Sequence, residues 1–515
     1  MDMKAGKKLG TRERYALMTR DLEWQTTYQP MDKVFPCMNY EGIKIHDWND
    51  WEDPFRLTMD VYWKYQAEKE KKLYAIIDAF NQNNGHLGVT DARYINTLKL
   101  FIQSIPPLEQ MAARGFTNVS RQMAGGGARI ACLMQAIDEI RHFQTQIHSI
   151  SNYNKYYNGL HGFAGQQSRL WYLSERKSFF DDAITAGPFE FMVAIGFAFE
   201  YVLTNLVFVP YVSGAAYNGD MAAMAFGFSA QSDEARHMTL GLECIKFMLE
   251  QDPDNVPIVQ RWIDKWTWRG ARVLGGIGMM MDYMLPKRIM SFKEAWEIYF
   301  EENGGALFND LARYGIRPPK CYAQTVAEKE HISHQAWLGF YQKSQAMSAH
   351  AWLPTPEEMD WLSSKYPNTF DKYYRPRFEL FREMARSGEP FDNHTLSMNC
   401  QVCQATIHYT EPDDPTTLCL RETDHQGEKY HFCSDHCREI FEYEPEKYVQ
   451  AWIPTHQALQ GNCFEPGVDP SAPGFDAKAA LFDYWGIRDG HDNGDFEGSE
   501  DQRNFSAWRK LATQN

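Results

Sequence analysis

A duplicated five-residue motif constrains this 515-residue chain more than any other feature of its sequence. Residues 138–142 read DEIRH, and residues 233–237 read DEARH. Four fixed positions at about 5% frequency each would match only about 0.003 times by chance in a chain of this length. The two copies therefore indicate a shared structural role rather than an accident of composition.

Each copy places a glutamate three residues before a histidine, as Glu139/His142 and Glu234/His237. On a helix this spacing puts both side chains on one face, where they can bind the same metal ion. Both copies lie among apolar residues, and burying an ionised carboxylate is costly unless it is paired or coordinates a metal. The same spacing occurs in polar surroundings at pairs that we expect to lie at the surface: Glu328/His331, Glu422/His425 and Glu428/His431.

Two single glutamates, Glu109 and Glu200, each interrupt an apolar stripe with helical spacing. Such an acid more often lies at a helix end or pairs with an arginine, and that alternative stays open for either residue taken alone. One glutamate from each of two helices, plus Glu-x-x-His from each of two others, is the ligand pattern of di-iron carboxylate bundles. Oxygen-rich ligation with two imidazoles suits iron or manganese. The sequence therefore predicts a mainly α chain with a ferritin-like di-iron four-helix bundle as its core.

The motif also carries an aspartate and an arginine in each copy, Asp138 with Arg141 and Asp233 with Arg236. Metal-bound imidazoles usually donate their second N–H to a carboxylate. We expect the two aspartates to do this, either within one helix or across the bundle, and the arginines to neutralise them. The alternative is ordinary ion pairs on a helix surface.

Pro106 and Pro107 come directly before Glu109. Proline within a helix removes a hydrogen bond and kinks it, so the helix that carries Glu109 could break or restart there. The sequence does not decide between a kink and a break.

The overall composition is that of an ordinary globular protein, with 44% hydrophobic and 23% charged residues. The net charge of −16 argues against nucleic acid as the main partner. The N-terminus has no apolar region typical of a secretory signal. The most apolar stretch, residues 191–212, is long enough for a membrane span, but Glu200, Asn205 and Pro210 favour a buried core helix, and we expect no membrane association.

Four of the ten cysteines are paired by spacing, as Cys400-x-x-Cys403 and Cys433-x-x-x-Cys437. This spacing is typical of a zinc-ribbon-like module, in which four thiolates close a structural site. His431 and His436 are rival ligands, and four reduced free thiols are the alternative. The remaining cysteines are scattered, which indicates a cytoplasmic protein rather than a disulfide framework.

These patterns predict four regions along the chain. Residues 1–90 form an N-terminal arm with a first helix near Phe55–Phe80, and residues 91–390 form the ferritin-like di-iron helical domain. Residues 391–450 form a four-cysteine zinc-binding module, with short strands between the cysteines. Residues 451–515 form a loop-rich tail with an acidic loop at 489–501.

The four-helix ligand pattern resembles that of the large catalytic subunit of the soluble bacterial multicomponent di-iron monooxygenases. The resemblance covers residues from about 50 to about 450 and is greatest to the phenol hydroxylase oxygenase component. It implies that Glu109, Glu139 and His142 bind one iron, and that Glu200, Glu234 and His237 bind the other. It also implies catalytic roles near the iron site for Thr204, Asn205 and Gln231. The alternative for Thr204 is a hydrogen bond from its hydroxyl to a carbonyl of its own helix.

The same resemblance implies a substrate pocket for an aromatic ring. Gln146, seven residues after Glu139, stands where ribonucleotide reductase small subunits keep a tyrosine and methane-oxidising members keep a cysteine. A mostly apolar pocket suits an aromatic substrate, and each wall residue could equally be plain core. The residues that we expect to line it are Ile105, Ala112, Gln146, Phe179, Ile195, Phe199 and Phe208. The four-cysteine module, which phenol hydroxylase relatives carry, favours phenols.

The resemblance implies an enzyme that uses two iron ions and O2 to hydroxylate phenol or methylphenols to catechols, with one structural zinc. The chain has no Gly-x-Gly-x-x-Gly and no ferredoxin cysteine spacing, so electrons from NADH must arrive through a separate flavin/iron–sulfur reductase. The other implied partners are a cofactor-free coupling protein and two further oxygenase subunits in a dimer of heterotrimers. The alternatives are a toluene, xylene or other hydrocarbon monooxygenase, a non-oxygenase di-iron protein, and a structural subunit.

Overall fold

The computed structural model describes residues 8–20, 24–35, 41–157, 173–344, 352–387, 398–459, 469 and 471–475. Helices make up most of these residues, as predicted, and β-strands occur only in the segment with the paired cysteines. The scattered Cys37 and Cys463 and the acidic loop at 489–501 lie outside the described residues.

The α-helices of the described residues follow one another in chain order. They are α1 (Thr11–Thr19), α2 (Met31–Val34), α3 (Met59–Gln82), α4 (Ala92–Gln122), α5 (Gly126–Tyr153), α6 (Ser174–Thr185), α7 (Pro188–Phe191), α8 (Val202–Tyr217), α9 (Met221–Gln251), α10 (Val256–Val273), α11 (Gly275–Met279), α12 (Phe292–Trp296), α13 (Gly305–Leu311), α14 (Tyr322–Glu328), α15 (Ile332–Ser344), α16 (Pro356–Lys365), α17 (Arg375–Ser387), α18 (Asp435–Tyr443), α19 (Pro445–Tyr448) and α20 (Pro454–Leu459). Segments of π-helix join some of them, at Met192–Tyr201, Met280–Met284, Glu297–Gly304 and Phe370–Tyr374. Single 3-10 turns occur at Trp48–Asp50, Gly85–Gly88, Pro253–Asn255 and Ala312–Tyr314.

The core consists of α4, α5, α9 and the long helical segment Pro188–Tyr217. Two of these helices have an aspartate as the N-cap residue. Asp91 accepts hydrogen bonds from the backbone N–H groups of Arg93 and Tyr94, and Asp220 accepts one from that of Ala223. Such caps satisfy N–H groups that have no partner within the helix. Helix α4 packs along α5, and α9 packs against the segment Pro188–Tyr217. Helix α3 covers α5 and α9 from outside.

Helix α4 runs through Pro106 and Pro107 without a break, so the restart that the two prolines allowed does not occur. Each proline lacks one N–H donor, yet α4 stays helical because it packs along α5 over much of its length. Glu109 therefore belongs to the same helix as the residues before the prolines.

The helix that carries Glu200 is not a regular α-helix. Residues Met192–Tyr201 are π-helical, so the predicted stripe with α-helical spacing is wrong in this segment. A π-helix shifts the direction of the following side chains and is often found at functional sites. Here it ends one residue after Glu200.

Two glycines let this segment cross α9 at backbone contact. A Cβ atom built on Gly241 would lie 2.1 Å from the carbonyl oxygen of Gly196, which leaves no room for a side chain. Gly196 lies four residues before Glu200, and Gly241 lies four residues after His237. The crossing therefore brings those two side chains to neighbouring positions in the core.

The segment Pro188–Tyr217 is, by length and mean hydropathy, the one helix among the described residues that could cross a membrane. About two thirds of its most apolar window (67%) is buried inside the structure. This burial fits the core helix that the sequence predicts.

The segment with the paired cysteines contains two small antiparallel sheets. Strand β1 (Thr410–Glu411) pairs with β2 (Asp414–Leu418), and β3 (Arg421–His425) pairs with β4 (Glu428–Phe432). In the second hairpin Arg421 lies opposite Phe432, and His425 lies opposite Glu428. Helix α18 follows β4 directly and packs on both strands of this hairpin.

One surface prediction is wrong. Glu328 and His331 are each only 8% exposed, although the sequence around them is polar. Their burial is possible because Glu328 pairs with the buried Arg272, and the Nδ1 atom of His331 lies 2.6 Å from the Tyr374 hydroxyl. The pair is part of the helical core.

Candidate metal centre

The two Glu-x-x-His pairs and Glu109 meet in one buried cluster. Two groups of potential ligand atoms, Glu109/Glu139/His142 and Glu139/Glu234/His237, each have all their atoms within 4.8 Å of one another. The groups share Glu139, which lies between the two imidazoles. The structure therefore places five of the six predicted iron ligands around two adjacent positions.

Distances from the imidazoles define these positions. The Nδ1 atom of His142 lies 3.5 Å from one oxygen of Glu109 and 3.5 Å from Glu139 Oε2. The Nδ1 atom of His237 lies 3.3 Å from the other Glu139 oxygen and 3.5 Å from Glu234 Oε2. Each oxygen of Glu139 thus faces a different histidine, so this carboxylate would contribute to both ligand groups.

Several of these atoms have no hydrogen-bond partner among the described residues, although they are buried. They are Nδ1 of His142, Nδ1 of His237, Oε1 of Glu139 and Oε2 of Glu234. Buried polar atoms are nearly always satisfied, so each exception needs an explanation. Metal ions between these atoms would supply the missing partners, and carboxylate and imidazole donors fit iron.

Positive charge is also needed to keep the buried carboxylates of this cluster ionised. Burial raises the pKa of Glu139 to about 8. Burial and the neighbouring charge of Glu234 raise the pKa of Glu200 well above its ordinary value. Four carboxylates cannot all stay ionised in this interior without positive charge between them.

Glu200 is the predicted ligand that stands apart from the two ligand groups. Its carboxylate accepts hydrogen bonds from the amide of Gln135, at 3.0 Å and 2.8 Å. It remains close enough to Glu139, Glu234 and His237 for their charges to affect its pKa. The side chain therefore lies beside the second metal position and is turned towards α5.

The two aspartates of the motif hold the histidines crosswise. His142 Nε2 lies 3.1 Å from Asp233, and His237 Nε2 lies 3.3 Å from Asp138. Each helix thus orients the imidazole of the other, which is one of the two arrangements that the sequence left open. Since the Nε2 sides face carboxylates, the Nδ1 lone pairs are left to face the metal positions.

Both arginines of the motif lie in the same network. Arg141 Nη1 donates to Asp138 at 2.9 Å and to Asp233 at 3.3 Å. Arg236 forms an ion pair with Asp138. The side chains of Arg141 and Arg236 are only 12% and 8% exposed, so these arginines compensate the charge of the aspartates inside the bundle.

Helix α3 adds residues to this network that the sequence reasoning missed. The Gln66 amide donates to both Asp138 and Asp233, at 2.8 Å each. The Tyr62 hydroxyl donates to Asp138 at 2.6 Å. A usable signal was present, because Gln66 interrupts the buried stripe Tyr62, Leu73 and Ile77 of α3.

The predicted catalytic residues lie on the helices of Glu200 and Glu234. Thr204 is buried, one turn after Glu200. The Gln231 amide lies 3.5 Å from the side-chain oxygen of Asn205, so these two side chains bridge α9 and α8. Both are half-buried, closer to the surface than the ligand cluster.

A mostly apolar cavity of about 40 Å³ opens beside Glu109 and Gln146. The Gln146 amide reaches Glu109 at 3.3 Å and closes the polar end of this space. Three of the seven predicted pocket residues line it. The described residues of its wall are Leu98, Phe101, Ile105, Glu109, Gln146, Ser149, Ile150, Tyr153, Val207, Phe208, Tyr211, Ala223 and Phe226.

The other four predicted pocket residues, Ala112, Phe179, Ile195 and Phe199, do not line this cavity. Whether these four residues line a substrate pocket or are plain core therefore stays a prediction. The rings of Phe179 and Phe199 lie 5.4 Å apart and pack with Phe180, so they fill space with one another. Ala112 and Ile195 are buried in the same hydrophobic core. Apolar helix faces look alike in sequence whether they face a cavity or a neighbour.

The four paired cysteines form a second cluster, far simpler in its chemistry. The sulfur atoms of Cys400, Cys403, Cys433 and Cys437 all lie within 4.8 Å of one another and are buried. The indole N–H of Trp268 donates to the Cys437 sulfur at 3.1 Å. Four converging sulfurs fit a tetrahedral zinc site.

The rival histidine ligands do not belong to this sulfur cluster. His431 contacts Glu422 at 3.2 Å, and the ring of His436 packs on Trp268 with centroids 4.7 Å apart. The geometry therefore fits an all-cysteine site.

Comparison with known proteins gives independent information. Residues 24–252 match the family model described as methane/phenol/alkene hydroxylase, and residues 409–452 match the YHS domain. The chain is 62% identical to the phenol 2-monooxygenase oxygenase component DmpN of Pseudomonas sp. (strain CF600), over 97% of this chain and 95% of that protein. It is 27% identical to the alkene monooxygenase oxygenase component subunit alpha of Xanthobacter autotrophicus, over 84% of this chain and 87% of that protein.

A solved structure is similar over almost the whole chain. The xenon-pressurized phenol hydroxylase from Pseudomonas sp. OX1 superposes with a TM-score of 0.91 at 61% sequence identity. The match covers 97% of this chain and all of that chain.

Proposed function

This chain belongs to the methane/phenol/alkene hydroxylase family, and from that premise we propose that it is the oxygenase component of a phenol 2-monooxygenase. It is a di-iron aromatic monooxygenase that converts phenol to catechol with dioxygen and electrons from NADH. The single observation that carries the proposal is the pair of ligand groups that share Glu139 beside an apolar cavity.

We assign two iron ions to the helical cluster. Glu109, Glu139 and His142 would hold one ion, and Glu139, Glu234 and His237 would hold the other, with Glu139 between them. Glu200 would complete the second position after release from Gln135. Iron bound there supplies the activation of dioxygen, which amino acid side chains cannot perform themselves.

The protein's own contribution begins with the imidazoles. Asp233 and Asp138 accept the Nε2 protons of His142 and His237, which fixes the tautomer that presents Nδ1 to the metal. Arg141, Arg236 and Gln66 hold the aspartates in turn. Ligands held by such hydrogen bonds and ion pairs keep their positions when the charge of the bound metal changes.

Widened from its volume of about 40 Å³, the cavity would bind and orient the aromatic ring. Ile105 and Phe208 supply apolar walls, and Gln146 with Glu109 forms the end nearest the cluster. Such walls exclude bulk water and favour a flat apolar substrate. We propose that Thr204 holds a proton at its hydroxyl beside the second metal position, and that Asn205 and Gln231 control access from the outer side.

Electrons and further subunits come from outside this chain. Its relatives are oxygenase components of multicomponent monooxygenases, so other components act with it. We propose two further oxygenase subunits in a dimer of heterotrimers, a coupling protein without cofactor, and a flavin/iron–sulfur reductase fed by NADH. A cytoplasmic location follows from the need for NADH.

One structural zinc is proposed in the cysteine cluster. The four sulfurs leave no position open for a substrate, so this ion would only stabilise the fold. Strands β1 to β4 bury little apolar surface of their own, and a metal is the usual means by which such a small module becomes stable.

The test is conversion of phenol in ¹⁸O2 by the oxygenase with its partner components and NADH. We expect catechol with one ¹⁸O atom, and no catechol from the Glu234→Gln variant. Phenol should be a better substrate than toluene by kcat/KM. An iron-loaded wild-type complex that consumes NADH but forms no labelled catechol would contradict the proposal.

A further inference from the structure

A tyrosine and a tryptophan connect the ligand cluster with the protein surface. Tyr62 is fully buried, and its hydroxyl donates to Asp138 at 2.6 Å. Asp138 in turn holds the Nε2 side of His237 at 3.3 Å. Trp63, the next residue, is 49% exposed, and its ring centroid lies 5.2 Å from that of Tyr62. The order from surface to cluster is therefore Trp63, Tyr62, Asp138, His237.

We propose that Trp63 and Tyr62 form a relay that carries single electrons from the surface into the metal centre when an oxidising equivalent finds no substrate. The proposal rests on the proposed function, because that activity supplies the oxidising equivalents. The relay would protect the ligand histidines and glutamates from oxidative damage. It acts in addition to hydroxylation and takes no part in it.

The chemistry of the two side chains fits this direction of transfer. Phenol and indole rings lose an electron more readily than aliphatic, carboxylate or imidazole side chains, whereas they accept one poorly. A relay made of them can therefore discharge an oxidant but cannot serve as the entry route for electrons from a reductase. Because Tyr62 is buried and Trp63 is exposed, the route ends at a side chain in contact with solvent.

The Tyr62 hydroxyl has a hydrogen-bond acceptor that could take its proton. The guanidinium of Arg236 lies over the Tyr62 ring, 5.8 Å from its centroid, which disfavours a positive charge on that ring. Tyr62 must therefore release its hydroxyl proton when it loses an electron. Asp138 Oδ1, at the other end of the 2.6 Å hydrogen bond, is placed to receive it.

Tyr62 gives one electron to the metal centre and its proton to Asp138; Trp63 then gives one electron to Tyr62, which takes the proton back. The indole N–H of Trp63 releases its proton to solvent. Two such transfers with one water convert Trp63 to hydroxytryptophan, with a net loss of two electrons and two protons, unless a thiol or other external reductant restores the indole first.

Two other tryptophans are matched controls. Trp24 is 55% exposed and Trp452 is 45% exposed, close to Trp63, but neither has a described contact with the ligand cluster. Oxidants that diffuse through solution should attack the three indoles according to their accessibility. An oxidant delivered through Tyr62 should select Trp63.

The experiment uses the complete iron-loaded complex, first shown to convert phenol to catechol. The complex is then cycled with NADH, reductase and dioxygen, without phenol and with catalase, and hydroxylation of each tryptophan is measured by peptide mass spectrometry. The same complex treated with added hydrogen peroxide gives the reference for accessibility. We expect Trp63 to be oxidised several-fold more than Trp24 and Trp452, after normalisation to that reference.

Two variants separate the relay from a structural role of Tyr62. Tyr62→Phe should remove the preference for Trp63 and raise oxidation of the ligand histidines. Trp63→Phe keeps the Tyr62–Asp138 hydrogen bond and should make a tyrosyl radical detectable by electron paramagnetic resonance. Equal oxidation of the three tryptophans in a complex that hydroxylates phenol would overturn the relay and leave the proposed function standing. An unchanged preference in Tyr62→Phe would also overturn it.

Discussion

The two candidate metal sites differ in how their ligands are supported. The Glu/His cluster is built on long helices from distant parts of the chain, and its ligands are held by a further layer of charged side chains. The four-cysteine cluster is built on a short stretch of turns, strands and one helix, and the indole N–H of Trp268 donates to one of its sulfurs. Both clusters are buried.

This difference fits the two ions proposed for these sites. Four thiolates saturate a tetrahedral zinc, so the site is complete without further control. Iron that activates dioxygen must keep positions open, and its ligands must therefore be fixed by the protein rather than by the metal alone. The crosswise aspartates and the residues of α3 provide that control. The comparison predicts that damage to either site leaves the other metal in place.

The largest effect is expected from Glu234→Gln. The variant keeps the shape of a ligand and removes its charge, so the second iron position should be lost and phenol hydroxylation abolished. Zinc content should stay at one ion per chain, because the four-cysteine cluster shares no ligand with the helical cluster. Metal analysis of the purified variant and phenol turnover measure both. Loss of zinc together with iron would break the claim of independent sites.

Cys433→Ser is the reverse experiment. Loss of a structural metal removes a large part of a small module's stability, so we expect a destabilisation of at least about 3 kcal/mol in residues 398–459. Iron content should remain, and protease cleavage should appear first in this module. Denaturant unfolding and limited proteolysis measure the change. An equally stable variant without zinc would contradict the structural role.

The crosswise aspartates should give an intermediate effect. Asp233→Asn leaves the shape but weakens the acceptor for His142, and removing such support typically costs about 10–100-fold in metal affinity or activity, so we expect a loss in that range. Asp181→Asn, which changes an aspartate paired with Lys177 on α6, is the matched control. Iron affinity from competition with a chelator is the measurement. An unchanged affinity in Asp233→Asn would remove the argument that the aspartates control the iron site.

The smallest effect concerns the junction between the four-cysteine module and the helical body. His408 packs against Gly339 of α15, and burial, aided by the charge of Arg272, lowers its pKa from 6.5 to about 4. Below pH 6.5 the His408 imidazole binds a proton in the unfolded chain, whereas in the folded protein it stays neutral until the pH approaches 4. This part of the stability is therefore complete above pH 6.5 and lost as the pH falls towards 4.

For partly buried His408 we expect the loss to be about 2 kcal/mol over this range, since one pKa unit corresponds to about 1.36 kcal/mol. His408→Phe should remove this part of the pH dependence. Unfolding free energies of wild type and variant at about pH 7 and about pH 4.5 measure it. An equal change in unfolding free energy between the two pH values in both proteins would show that His408 does not cause this pH dependence.

Much of the helical site could be predicted from sequence because each ligand leaves a local signal. A charged residue inside an apolar helical segment, such as Glu109 or Glu139, costs folding free energy unless it is paired or coordinates a metal. The duplication of DExRH then linked two distant helices without knowledge of the fold. The four cysteines gave the second site in the same way, through their spacing.

The remainder depended on packing that no local pattern contains. The π-helix at Met192–Tyr201 and the position of Glu200 follow from its crossing with α9, not from its own periodicity. Phe179 and Phe199 were predicted to line a pocket, and neither lies on the wall of the cavity beside Glu109. Glu328 was expected at the surface, yet Arg272, 56 residues earlier in the chain, pairs with it in the core. Partners that are distant in sequence decide such cases.

The central claim is that iron occupies the Glu/His cluster while zinc occupies the four-cysteine cluster. The most direct test is anomalous diffraction from crystals of the metal-loaded complex, recorded at the iron and zinc absorption edges. We predict two iron peaks, one on each side of Glu139, and one zinc peak among Cys400, Cys403, Cys433 and Cys437. A single iron, or iron peaks away from His142 and His237, would contradict the account.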